Sequence, residues 1–113
     1  MFIPPEHIVP ELEGTERYDV IREMLRHLIR AGAIQPEIED SLFRDFELRE
    51  ETMTTGVGFG RAFPHITTDA VTKQIMAMGH STMGVDFASI DGKLVTTVIL
   101  MISPKLTGID HAA

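Results

Sequence analysis

Apolar residues recur at helical spacing over two stretches in the first half of the chain and crowd into nearly unbroken runs in the second. From Thr15 to Ala31, the residues Ile21, Met24, Leu25 and Leu28 fall on one face, which predicts an amphipathic helix. Thr15 is placed to cap it. Glu16 and Asp19 in the first turn, and Arg26 and Arg30 near the end, match the helix dipole, and Gly32 is the stop. A second helix is expected from Pro36, where a missing N–H costs nothing. Ile38, Leu42 and Phe46 stack at a spacing of four, Phe43 widens the stripe, and the helix should finish near Leu48 or Arg49. The acidic run Glu47 to Glu51 reads as a solvated helix end that could receive a basic partner.

Thr52 to Gly60 is rich in Thr and Gly and carries no helical period. Gly60 to Phe63 reads as a short strand stopped by Pro64, which cannot donate to a ladder. Gln74 to His80 and Leu94 to Ile102 read as strands apolar on both faces, implying a sheet covered by helices on each side. Ile8-Val9 is expected as a short edge strand, and Asp91-Gly92 as a turn. The sum is one α/β layered domain over residues 1–113.

Composition narrows the chemistry. The 113 residues suit one compact domain, and the absence of Cys removes disulfides, thiolate metal sites and a Cys nucleophile. Lys and Arg number 10 against 17 Asp and Glu, a formal charge of −7, which argues against a nucleic-acid-binding module and leaves room for a basic protein partner. The longest apolar stretch, Leu94 to Ile102, is far short of the roughly 20 residues of a membrane helix. The N-terminal residues do not read as a secretory signal, so a cytoplasmic location is expected. His7, His27 and His80 have no partners at metal-ligand spacing. Asp86 and Asp91 read as turn residues, and Met24, Met76, Met78 and Met101 as core.

The informative segment runs from Arg49 to His65. Gly56, Gly58 and Gly60 alternate but fit neither phosphate loop. No Gly-Lys-Ser/Thr follows, and a dinucleotide fingerprint would need a third Gly where Arg61 or Phe63 stands. Taken alone, the glycines permit unusual backbone and close approach to an anion beside a stiff Pro64-His65 unit, which is a weak signal.

Arg49-Glu50, then Thr54-Thr55-Gly56-Val57-Gly58-Phe59-Gly60-Arg61-Ala62-Phe63-Pro64-His65, resembles the signature of the enzyme IIA domains of the bacterial phosphotransferase system. The likeness is to the fructose/mannitol type and its nitrogen-regulatory relatives, and it continues through Gly84 to Val95 and the strand ending at Ser103-Pro104. The resemblance implies a mixed β-sheet flanked by helices, of the phosphotransferase/anion-transporter-like kind. It also implies a transferase component phosphorylated on His65 by the histidine phosphocarrier protein, which then passes the phosphoryl group to an enzyme IIB or carries it as a regulatory mark. By motif position Arg49 would steady the phosphoryl oxygens, Gly56, Gly58 and Gly60 would shape the pocket, and His111 would be a second histidine near the first. No metal or organic cofactor is implied.

Two departures are Arg61 in a usually apolar slot and Ile66-Thr67-Thr68 after His65. The family's C-terminal helices would follow Ala113, so a shortened domain with an apolar sheet face and self-association is expected. The alternative from a different class is a regulatory binding module that keeps the fold without turnover.

Overall fold

The computed structural model describes residues 2–105. Two helices and six strands follow in the order β1 (Ile8–Val9), α1 (Arg17–Arg30), α2 (Glu39–Thr52), β2 (Gly56–Gly58), β3 (Arg61–Ala62), β4 (His65–Thr68), β5 (Ile75–Val85) and β6 (Val95–Pro104). The strands form one mixed sheet ordered β1-β5-β6-β3-β2, with β4 also paired to β6. β5 and β6 run antiparallel at its centre; β3 and β4 run parallel to β6, and β1 parallel to β5.

Helix α1 buries Val20, Ile21, Met24, Leu25 and Leu28, the stripe its periodicity specifies. Its cap is Glu16 and not Thr15: the Glu16 carboxylate accepts from the amides of Tyr18 and Asp19. Thr15 instead uses its carbonyl to accept from Asp86 N–H, tying the helix entry to the end of β5. Gly32 ends the helix at φ +79°, a left-handed conformation open to glycine. Helix α2 is preceded by a 3-10 turn at Pro36–Ile38 and runs to Thr52, past the expected end at Arg49. Its buried positions are Leu42, Phe46 and Glu50, each four residues from the last. The acidic run is therefore not wholly solvated, because the third place in the apolar stripe falls on a carboxylate.

The sheet is covered by α1 and α2 on one face. Ile66, Ile75, Ala77, Val98, Leu100 and Ile102 alternate along the strands and join the two helices in one hydrophobic core. The opposite residues Met78, Ile99 and Met101 are only half-buried and stand outside that core. Helices on both faces, as the doubly apolar strands suggested, are not found among the described residues. Met and Ile on a half-open face mimic the composition of a fully covered strand.

The expected strand at Gly60–Phe63 is shorter, and a second strand begins directly at His65. Both lie along the same edge of β6 without a change of register: Arg61 is opposite Thr97, Ala62 opposite Val98, His65 opposite Met101 and Ile66 opposite Ile102. Pro64 has no N–H to give, and Phe63 turns its own N–H to the Thr55 carbonyl (3.0 Å). Met101 N–H still donates to Pro64 O (2.9 Å), which holds the interrupted strand in line. Pro64 interrupts the ladder without ending the strand.

Candidate functional site

His65 is the first residue of β4, and strand alternation decides its direction. Ile66 points into the core beneath α2, so His65 and Thr67 point to the open face with Met101 and Ser103 of β6. The ring is exposed, and its Nε2 lies 3.2 Å from the Ser103 hydroxyl. The hydroxyl can accept from a protonated Nε2 or donate to an unprotonated one, so this contact couples the ring's tautomer to a neighbour.

Arg49 stands in the last turn of α2, exposed, and one guanidinium N–H donates to the Met53 carbonyl at 3.0 Å. That bond closes the helix end, as arginine commonly does. It leaves further N–H donors on the planar fork, and no described carboxylate lies within ion-pairing distance of them. Arg49 and His65 line two adjoining clefts of about 370 and 520 Å³. Met53, Val57, Phe63 and Met101 share the first with them, and Asp45, Leu48 and Thr67 the second. An exposed imidazole and a cation with spare donors thus face common space from opposite elements, a strand start and a helix end.

The family profile described as phosphoenolpyruvate-dependent sugar phosphotransferase system, EIIA 2, matches residues 1–111. The chain belongs to this family. This EIIA chain is 43% identical over 63 residues to the fructose-specific EIIA component of the phosphotransferase system of Haloferax volcanii, a stretch covering 56% of the chain and 41% of that protein. The chain therefore spans less than half of that relative. The nitrogen regulatory protein IIA-Ntr of Neisseria meningitidis shares its fold with a TM-score of 0.81 at 25% identity, over 97% of this chain and 73% of that one. Enzyme IIA-Mtl of Escherichia coli, solved in complex with phosphorylated enzyme IIB-Mtl, superposes with a TM-score of 0.75 at 21% identity, over 98% and 76% of the two chains.

The three glycines are placed differently from His65 and Arg49. None of them lines the cleft that these two share with Met53 and Phe63. They build the β2–β3 hairpin instead. Gly58 and Gly60 have φ of +97° and +74° on either side of Phe59, itself at +58°, and Asp91 accepts the Phe59 N–H at 3.1 Å. A Cβ on Gly56 would lie 3.0 Å from Phe87 Cβ and inside the Ser89 hydroxyl, so β2 packs against the 86–91 loop through a missing side chain. The hairpin they build leads directly into Phe63 and Pro64, which line that cleft. His111 lies outside the described residues.

The other expectations resolve locally. Asp86 and Asp91 accept turn amides from Ala88 and Lys93. His7 and His27 bond to the Met76 and Glu6 carbonyls, pinning the N-terminal arm, and His80 lies 3.6 Å from Glu11. Two features escaped the sequence reading: the approach of Ser103 to His65, which depends on strand register, and the burial of Glu50. The latter was legible, because continuing the Leu42–Phe46 spacing by four lands on that residue.

Proposed function

We propose that this EIIA chain is a phosphoryl carrier that takes the group onto His65 from the histidine phosphocarrier protein. It then yields it to an enzyme IIB partner or holds it as a regulatory mark. The observation that carries the reading is an exposed imidazole sharing a cleft with an arginine whose spare donors have no described carboxylate to satisfy.

Transfer needs no cofactor. A ring nitrogen of His65 attacks phosphorus of the donor phosphohistidine, the new N–P bond forms as the old one breaks, and the electron pair returns to the donor imidazole. The charge on the three equatorial oxygens is what a protein must steady, and Arg49 supplies a planar, bidentate donor for them. The Ser103 hydroxyl, at 3.2 Å from Nε2, steadies the ring's orientation and can accept from or donate to that nitrogen as its protonation changes. His111, by the resemblance, assists the same group.

The exposed side chains Leu48, Met53 and Val57, with Phe63, rim the site and provide the apolar contact a docking carrier requires. That the Escherichia coli IIA-Mtl fold is found with phosphorylated IIB-Mtl supports an acceptor of the IIB kind. Incubation with phosphoenolpyruvate, enzyme I and the phosphocarrier protein tests the reading. Acid-labile, alkali-stable label that disappears in His65→Ala is expected. A folded sample that takes no label would replace this reading with a binding module lacking turnover.

A further inference from the structure

We propose that Glu50 is a positioning residue for phosphoryl transfer, setting the distance between the Arg49 guanidinium and the His65 ring; the proposal rests on the phosphoacceptor reading of His65. Glu50 occupies the core-facing place after Leu42 and Phe46 on α2 and is 2% exposed. An apolar side chain would continue the stripe. A carboxylate there is costly unless its oxygens are met by donors.

They are. Both oxygens accept from Thr55 N–H at 3.2 Å, one accepts from the Thr55 hydroxyl, and Arg17 at the start of α1 approaches the other at 3.3 Å. Thr55 in turn accepts the Phe63 N–H on its carbonyl at 3.0 Å, and Pro64 and His65 follow directly. A continuous tether therefore runs from the last turn of α2 through Thr55 to the residue two before His65. Arg49 is the neighbour of Glu50 on that same turn, turned outward while Glu50 turns inward. The helix end bearing the cation and the strand start bearing the imidazole are fastened at one buried point. Arg17 balances the charge of that point from a third element, so α1 shares in the clamp.

Glu50→Gln replaces an oxygen with an NH₂ group that would face donors, and it tests the tether in the full chain. Single-turnover transfer from labelled phosphocarrier protein is measured on samples whose folding is verified by circular dichroism and urea titration. Amide exchange at Thr55 and Phe63 is followed in parallel. The expected result is a transfer rate lowered roughly ten- to a hundredfold, the loss that misplacement by about an ångström can produce. Faster Phe63 exchange should accompany it. Because Glu50 acts through the placement of Arg49, Arg49→Ala/Glu50→Gln should be no slower than Arg49→Ala alone.

Parent-like transfer by folded Glu50→Gln, or losses that multiply in full in the double variant, would overturn the proposal. Should Glu50→Gln not fold, Glu50→Asp keeps the charge on a stem one methylene shorter, which draws the carboxylate away from the Thr55 amide. Slower transfer then supports the tether, and an unchanged rate removes it. A parent chain that takes no label overturns the phosphoacceptor reading and the positioning role together. A labelled parent with an undisturbed Glu50→Gln overturns the positioning role alone.

Discussion

Arg49 and Glu50 are consecutive acid–base neighbours on one helical turn, yet one is exposed and the other buried. Successive helical residues are about 100° apart, so the turn that sends Glu50 to the core sends Arg49 to the cleft. Different measurements separate their contributions. Arg49→Ala should slow phosphoryl transfer by about a hundredfold, the scale of losing one charge-stabilising donor, while loss of its exposed bond to the Met53 carbonyl costs no more than about 1 kcal/mol in urea unfolding. Equal rates for variant and parent in single-turnover assays would remove Arg49 from the site. Phe46→Ala, at a fully buried position, should cost about 3–5 kcal/mol in urea unfolding through loss of apolar contact and a cavity under the sheet. A cost below about 1 kcal/mol would mean that the α2 stripe does not sit in the core as described.

Among the elements, the β2–β3 hairpin depends most on backbone chemistry. Three successive residues at its tip have positive φ, and one of them is Phe59. Asp91 offsets that strain by accepting from Phe59 N–H while also accepting from Lys93 N–H. The backbone donors of Lys93 first and Phe59 second hold the Asp91 carboxyl below its ordinary value of 3.8. A depressed carboxyl adds stability that is fully present above its unfolded pKa and lost as pH falls through the folded value. The Phe59 amide signal should therefore titrate with a midpoint below 3.8, and Asp91→Asn should abolish that transition. A midpoint at or above 3.8 would contradict the contact.

The α1–α2 pair behaves differently. Arg22 reaches both Glu39 and Asp40, and Arg26 reaches Glu39. Arg26 is largely exposed, so Arg26→Ala should change stability by no more than about 1 kcal/mol, and less in high salt.

Over the whole molecule, order should fall from the sheet centre outward. β5 and β6 pair along most of their length and carry fully buried residues on the helix side, whereas β1, β2 and β3 have two or three residues each. Native-state amide exchange should therefore be slowest in β5 and β6 and fastest in the short outer strands, read residue by residue. Uniform protection across all strands would contradict this ordering.

The two helices, the central strand pair and the Asp91-Gly92 turn were legible because each is written in local spacing: apolar residues every three or four, apolar runs, or a turn dipeptide. The Arg49-to-His65 segment was legible as a resemblance, and the family profile agrees with it. Strand β4 was hidden because Pro64 looks like a terminator when only the local ladder is considered. The Glu16 cap was hidden because a carboxylate two residues before an amide competes equally with a threonine one place earlier.

The resemblance singled out an imidazole and a guanidinium as the candidates; the chain's own letters determined most of the stretches that form helices and strands, and that thiol chemistry is excluded. Those properties reside in side-chain type and short-range period. Tertiary structure alone decided that β3 and β4 share one register along β6, that Ser103 meets His65, and that Glu50 is buried against Thr55 and Arg17. Each joins residues distant in the chain or on separate elements, and such meetings are set by packing and hydrogen bonding across the fold, which no local pattern records.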